Sequence, residues 1–388
     1  MEFAILILMS ETERTIEAQQ IAPLPEKLIS RLCGWYERKR RNLPWRADAD
    51  PYHVWVSEIM LQQTRVETVI PYYERFLKRL PDVQALSQCP EEELLKLWEG
   101  LGYYSRVRNM RDAAQRIVSP EGFHGVFPST VEELLTLPGL GAYTAGAIAS
   151  IAFGERVPAV DGNALRILTR LRADTRPVDQ EKTKKAISAE LSELMQEETE
   201  NYSPGDFNQA FMDLGSAVCL SHAQPACGAC PLGGSCLAHA KGREADFPVK
   251  GGKKARAVCD LTILRIRDGE RILIEKRPAK GLLAGLWEFP NRPGHLSEKE
   301  ALADVEALGL LPLHIERLPA AKHIFSHVEW HMIGYEIRVA AFEGRVAADR
   351  KAELITPEEL QEKYSMPSAF AAYRLPDEKK YVSDRSAI

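Results

Sequence analysis

The chain has 388 residues, of which 45% are hydrophobic and 27% charged, and its formal net charge is −5. That length allows two or three domains, each able to bury a core, in a composition ordinary for a globular protein. The acidic total excludes a uniformly basic nucleic-acid binder, although a local basic face binds phosphate whatever the total.

The apolar run Phe3 to Met9 is too short to cross a bilayer and lacks a basic flank and a small-residue cleavage site. Residues 1–22 read as a disordered leader. No transmembrane segment and no membrane partner are expected, and a cytosolic location would keep the thiols reduced. Residues 23–238 read as helical, with apolar residues at helical spacing over 26–40, 52–66, 84–98, 103–118, 142–153, 163–172, 182–195 and 206–218. Thr130 with Glu133 predicts a capping box, and Pro204 opens the last helix. Basic residues gather at Arg38, Lys39, Arg40, Arg41 and Arg46, at Arg106, Arg108 and Arg111, and at Lys250, Lys253, Lys254 and Arg256. Acid gathers at Glu190, Glu193, Glu197, Glu198 and Glu200. Any one such run reads most simply as a solvated helix face.

Leu137-Pro138-Gly139-Leu140-Gly141 falls between two predicted helices. Its glycines allow close backbone approach, and the free N–H groups of the helix that follows suit a phosphate, while a plain helix–turn–helix corner is the commoner reading of a lone turn of this kind. Val160-Asp161-Gly162-Asn163 puts Asp161 at the mouth of a helix, where an N-cap is the ordinary role.

Four of the seven cysteines then fall together as Cys219, Cys227, Cys230 and Cys236, in the spacing C-x7-C-x2-C-x5-C. A zinc site usually shows two C-x2-C hooks, and here only Cys227 and Cys230 form one. The spacing therefore favours a 4Fe–4S cluster over zinc, with disulfides the weakest reading. Cys33, Cys89 and Cys259 read as plain buried thiols.

Residues 239–256 are charged and rich in Gly and Lys, the composition of a linker. Beyond them the period changes. Leu261, Ile263 and the run from Arg271 to Ile274 flank Asp268-Gly269, a hairpin signal. A helix from Ser297 to about Leu308 with a Ser297/Glu300 capping box, strand-like sequence from His323 to Ala341 and short helices over 357–373 make residues 257–375 an α+β domain, followed by a polar tail, 376–388.

The hairpin, the Asp some twenty residues later and the four cysteines resemble the helix-hairpin-helix DNA glycosylases that carry an iron–sulfur cluster, endonuclease III among them. Bifunctional members place a Schiff-base Lys at the second position after the last hairpin glycine. Tyr143 stands there, and a phenol cannot form an imine, so the resemblance implies a monofunctional enzyme. Leu43-Pro44-Trp45-Arg46, Ser57-Glu58-Ile59-Met60-Leu61-Gln62-Gln63-Thr64 and Gly100-Leu101-Gly102-Tyr103-Tyr104-Ser105-Arg106 narrow the likeness to the MutY-type adenine DNA glycosylases. The family usually has six residues between its first two cluster cysteines, against seven here between Cys219 and Cys227.

That resemblance implies hydrolysis of the N-glycosidic bond of adenine mispaired with 8-oxoguanine or guanine in duplex DNA. Glu58 would be the acid at adenine N7 and activate water, and Asp161 would stabilise the sugar cation, steadied by Tyr143 and Asn163. Trp45, Arg46 and Gln209 would line the adenine pocket. Leu61, Gln63, Thr64 and Tyr103 would fill or flank the space left by the flipped base, and Gly139 and Gly141 would contact DNA. Taken alone, Glu58 is an ordinary surface glutamate, and Leu61 and Tyr103 are core residues. The implied cofactor is one 4Fe–4S cluster in a structural role, with no nucleotide cofactor, and a monomer is expected.

Gly281-Leu-Leu-Ala-Gly285-Leu-Trp-Glu-Phe-Pro290 resembles the Nudix fold. Gly294-x5-Glu300 survives of the Nudix box, but Leu308-Gly309-Leu310 stands where Arg-Glu-aliphatic should begin, so no nucleotide hydrolysis is expected. The resemblance implies instead that this domain reads 8-oxoguanine, with Phe325, Ser326 and His327 as the lesion loop and Gly285 close to phosphate. The alternatives are a glycosylase for thymine or uracil opposite guanine, a nucleotide-pool hydrolase, and a non-catalytic DNA-binding protein.

Overall fold

The computed structural model describes residues 21–199, 201–252, 255–341 and 351–374. The expected tail, nearly all of the expected leader, and Glu200, Lys253 and Lys254 lie outside the described residues. The chain groups into two compact units, one of Met1–Asn42, Ser129–Leu135 and Leu140–Gly252, the other of Leu43–Pro128, Thr136–Gly139 and Lys253–Ile388. None of the described helices is long and apolar enough to cross a membrane.

The first unit is helical: Leu28–Lys39, Val131–Leu134, Ala142–Phe153, Gly162–Arg172, Glu181–Glu197 and Pro204–Ala217, then a short helix, Leu237–Ala240. The Thr130/Glu133 capping box forms as expected. So does the start at Pro204, where Ser203 accepts from the Asp206 amide. Leu32, Leu168, Leu191, Phe207 and Phe211 lie in one core. Small residues let Ala142–Phe153 pack closely: a Cβ on Gly146 would sit 2.5 Å from the Pro158 carbonyl oxygen. Residues beyond 238 are tied back to this unit, since the Val178 amide donates to Val249 O (3.0 Å) and the Gly251 amide to the Asp179 carboxylate (2.8 Å).

In the second unit the helices are Pro51–Leu61, Val66–Arg79, Val83–Gln88, Glu91–Leu97 and Ser105–Val118. Two sequence-based spans need correction. The helix expected over 52–66 stops at Leu61, because Gln63 takes a left-handed φ of +60°. The span 84–98 is two helices, broken at Cys89-Pro90, where proline supplies no amide. Val66–Arg79 was not among the expected helices, and its interior Pro71 breaks the usual pattern.

The same unit holds one mixed sheet: β1 (Ala257–Asp268), β2 (Arg271–Lys276), β3 (Trp287–Glu288), β4 (Asn291–Pro293), β5 (Pro312–Ile324), β6 (Val328–Val339) and β7 (Ala352–Ile355). The order is β3-β2-β1-β6-β5, with β4 also on β1 and β7 on β2. The Asp268-Gly269 hairpin forms, with Gly269 at φ +60°. One core contains Ile266, Ile337 and the helix residues Ala301 and Val305. The other contains Trp287, Phe289, Trp330 and Phe370.

The all-α and α+β parts of the expected fold class therefore stand, but its tetra-cysteine 4Fe–4S loop does not. Among the described residues, the group of metal-binding atoms lying within 4.8 Å of one another is that of Cys227, His239 and Glu244, not four cysteines. The thiol assignments also shift, because Cys259 is exposed and Cys33 only half-buried, while Cys89 is buried.

Candidate active site

Helix Pro51–Leu61 begins on strong local signals, with Pro51 at its first position and the Asp50 carboxylate accepting from the Tyr52 amide at 2.8 Å. Its residues from Val54 to Met60 are all buried, and Glu58 among them is only 4% exposed. An acidic side chain in so apolar a helix loses hydration that a surface glutamate keeps, which argues against the surface reading.

The helix ends at a clamp. Arg106 Nη1 donates to the carbonyls of Ile59 (2.5 Å), Met60 (3.4 Å) and Gln62 (2.9 Å), and Nη2 to those of Leu101 and Gly102 (both 3.0 Å). Two non-glycine residues beside this clamp are left-handed, Gln63 at φ +60° and Tyr103 at φ +48°. Each such conformation costs about 1–3 kcal/mol and persists only where the surroundings impose it. Gln63 is exposed and Tyr103 is 47% exposed, so both side chains project from the clamp. Leu61 and Thr64 flank them half-buried. Trp45 is buried with its ring edge-on to Tyr73, centroids 5.5 Å apart, and Arg46 follows it in the same short turn.

Tyr103 also reaches the sheet. Its hydroxyl lies 2.7 Å from Ser326 Oγ. Phe325, Ser326 and His327 form the tip between β5 and β6, where Phe325 packs on Trp330 (centroids 4.9 Å) and Ser326 and His327 are exposed. Gly285, at φ +66°, permits a close approach to Arg108, whose Nη2 donates to Ala284 O at 2.7 Å and would lie 2.9 Å from a Cβ on Gly285. The surviving Nudix-box glutamate, Glu300, is occupied as a helix cap, accepting from the Ser297 amide at 2.7 Å.

In the first unit Asp161 caps helix Gly162–Arg172. One carboxylate oxygen accepts from the Ala164 amide (2.8 Å) and the other from Asn163 Nδ2 (2.7 Å). Burial pushes its pKa above the ordinary carboxylate range, and these hydrogen bonds pull against that shift. Arg166 orients Asn163, donating to its Oδ1 at 2.9 Å and to Gly215 O at 2.8 Å. Gly215 leaves no room for a side chain, since a Cβ there would be 2.5 Å from Asn163 Cβ. Buried Asn208 accepts from the Ala159 amide (2.9 Å) and donates to Val157 O (2.9 Å), fixing the irregular segment that leads into Asp161. Gln209, next along that helix, is half-buried. Tyr143 stands in the first turn of Ala142–Phe153, whose N-cap, Gly141, offers no side-chain acceptor to the first amides. Gly139, in the turn before it, is the glycine whose backbone demands it, at φ +78° and packed where a Cβ would strike Asn109 at 2.6 Å.

The cysteine segment is organised by hydrogen bonds. Arg170 Nη1 donates to Cys219 Sγ (3.2 Å), Cys236 Sγ donates to Arg170 O (3.4 Å), and Cys227 Sγ donates to Glu244 (3.5 Å), which also binds His239 Nδ1 (2.7 Å). Burial pushes the Cys227 and Cys230 thiols up to about 11 and raises that of Cys236. The expected tetra-cysteine 4Fe–4S site is corrected on geometry: among the described residues the four sulfurs do not form a group of metal-binding atoms within 4.8 Å of one another. The converging set is three mixed ligands, Cys227, His239 and Glu244.

Sequence reasoning missed Arg166, Asn208 and Gly215, and it took Arg106 as part of a basic run and of a family motif, with no role of its own. The signal for Arg166 and Asn208 was present: each is a strongly polar residue on the apolar face of a predicted helix, where burial demands partners.

Comparison with known proteins gives two family matches, the HhH-GPD superfamily of base excision DNA repair proteins over residues 56–197 and a NUDIX domain over residues 262–374. The adenine DNA glycosylase of Rattus norvegicus is 36% identical over 375 residues, covering 82% of this chain and 71% of that protein. The human adenine DNA glycosylase is 36% identical, covering 81% and 67%. That of Buchnera aphidicola from Schizaphis graminum is 35% identical over 312 residues, covering 80% and 87%.

Proposed function

The chain belongs to the adenine DNA glycosylases, enzymes of base excision repair, and we propose that it hydrolyses the bond between deoxyribose and an adenine mispaired with 8-oxoguanine or guanine in duplex DNA. The observation that carries the chemistry is Glu58, an acidic side chain 4% exposed on an apolar helix. Adenine leaves poorly as an anion. A positioned acid that protonates the base is worth about 10²- to 10⁴-fold in rate. Glu58 is assigned that role and the activation of water. Asp161 is assigned the charge-stabilising role at the sugar, with its carboxylate steered by Asn163 and Ala164.

Base removal requires the adenine to leave the stack. Gln63 and Tyr103 are assigned to the vacated space, because both are exposed and held in left-handed turns that point them away from their own elements. Trp45 and Arg46 are assigned to the adenine pocket, and Leu61 and Thr64 to the intact strand. The exposed hydroxyl of Ser326 is assigned to the 8-oxoguanine edge. The N-terminus of helix Ala142–Phe153, whose N-cap Gly141 makes no side-chain bond to the first turn, is assigned to phosphate. Tyr143 leaves the enzyme without an imine-forming amine at that position, so strand breaks should require alkali. All seven cysteines are free thiols, which supports a cytosolic location.

Single-turnover reactions on a labelled duplex with one adenine opposite 8-oxoguanine test this reading. Breaks are expected only after hot alkali. Glu58→Gln should lower the rate by at least about 10²-fold while mismatch binding persists. Excision by that variant at near the native rate would remove Glu58 from the acid role, and release of thymine or uracil in preference to adenine would overturn the substrate assignment.

A further inference from the structure

We propose that Arg106 is a positioning residue that couples recognition of the opposite base to the helix carrying Glu58, an inference that rests on the roles assigned above to Glu58, Tyr103 and Ser326. One guanidinium spans two segments. Nη1 takes the terminal carbonyls of helix Pro51–Leu61, those of Ile59 and Met60, and that of Gln62 just beyond it. Nη2 takes the carbonyls of Leu101 and Gly102, directly before Tyr103. The last carbonyls of a helix have no partner within it, and a cation there also meets the negative end of the helix dipole.

The rival reading, a phosphate ligand in a basic run, does not fit. Both Nη groups of Arg106 are turned to carbonyls, five in all, its Nε is buried, and the guanidinium lies over the rings of Trp98 (5.2 Å) and Tyr103 (5.7 Å). Burial lowers its pKa to about 10, which still leaves it charged at neutral pH. Its neighbours are engaged too, Arg108 with Glu91 and Ala284 O, and Arg111 with Glu91.

The path is short. Ser326 Oγ meets the Tyr103 hydroxyl at 2.7 Å, the backbone before Tyr103 hangs on Arg106, and Arg106 holds the end of the helix that bears Glu58. A shift of Tyr103 against the opposite base therefore pulls on the acid's own helix. Lysine keeps the charge but lacks the planar fork that bridges both segments.

The test compares the native enzyme with Arg106→Lys, Ser326→Ala and the double variant, in single-turnover adenine release from duplexes with 8-oxoguanine or guanine opposite. Arg106→Lys is expected to slow release opposite 8-oxoguanine about hundredfold and opposite guanine by less, so that the ratio of the two rates falls. The double variant should lower that ratio no further than the worse single one, because both act on one path. DNA affinity should keep its native salt dependence. An equal loss on both duplexes, additive effects on the ratio, or a salt slope shallower by about one counterion would each overturn the proposal, the last by making Arg106 a phosphate ligand. If Ser326→Ala alone leaves the ratio intact, the lesion-reading role of Ser326 fails instead, and the Arg106→Lys ratio by itself decides the coupling. Should Arg106→Lys melt well below the native enzyme, Tyr103→Phe carries the test, since it removes only the hydroxyl contact to Ser326: an unchanged ratio there overturns the coupling.

Discussion

At the residue scale the two assigned carboxyl groups differ in surroundings. Glu58 is 4% exposed within a helix whose residues from Val54 to Met60 are all buried, and Asp161 sits at a helix mouth, where it accepts hydrogen bonds from Ala164 and Asn163. Burial nonetheless raises the Asp161 pKa, so its negative charge is lost at a higher pH than for an ordinary aspartate as pH falls. The acid limb of the single-turnover profile should therefore lie above the usual carboxylate range. The Asn163 hydrogen bond lowers that pKa, so Asn163→Ala should move the limb to still higher pH. Profiles of the two enzymes that superimpose on the acid side would show that Asp161 does not set the limb. Neither residue's environment was legible in the sequence, where Asp161 read as an N-cap and Glu58 as one helical glutamate among many. The N-cap reading was itself correct in structure.

At the scale of elements, the position of Asn163 depends on a glycine in another helix. Gly215 in Pro204–Ala217 lies where a methyl group would be 2.5 Å from Asn163 Cβ and 2.6 Å from its Oδ1. Alanine at 215 raises intrinsic helix propensity by about 1 kcal/mol, against an overpacking cost of about 1–3 kcal/mol, so Gly215→Ala should destabilise the protein modestly. Displacing the side chain that steers Asp161 is expected to cost about ten- to hundredfold in excision rate. A modest fall in melting temperature with a rate loss larger than that fall explains is thus the expected pattern, and a native rate would show that Asn163 tolerates the shift. The helix boundaries teach a related lesson. Period and caps placed Ala142–Phe153 and Gly162–Arg172 to within a residue, because both depend on local chemistry. The stop at Leu61 comes with the left-handed turn at Gln63, and the carbonyls left open there are met by Arg106, more than forty positions away in sequence, so it left no local mark.

At the scale of the whole molecule, the sheet-bearing part of the second unit is tied to its helices by specific bonds. Lys96 Nζ donates to Tyr364 O (3.0 Å), while Glu99 accepts from the Met366 amide (3.2 Å) and from Arg374 (3.3 Å). Arg374 also donates to Met366 O (2.7 Å). Charged hydrogen bonds of this kind contribute about 1.5–3 kcal/mol each. If these ties seat the tip that carries Ser326 beside Tyr103, Arg374→Ala should lower the preference for 8-oxoguanine over guanine several-fold, with a smaller effect on release opposite guanine. An unchanged preference in paired single-turnover assays would mean that the tip seats itself.

The sequence by itself determined the all-α and α+β character, the main helix caps, the turn glycines and the family resemblance, because each rests on neighbouring residues or on an ordered run of motifs. Only tertiary structure decided the rest. It buried Glu58, brought Tyr103 to Ser326 across more than two hundred residues, and turned Arg106 from one of a basic run into a clamp. It also overturned the cluster expectation. Spacing sets how near the cysteines stand along the chain, but the partners of the sulfurs are chosen in space, by Arg170 and Glu244. Burial and hydrogen bonding between distant segments are properties of the packed chain, and no local pattern encodes them.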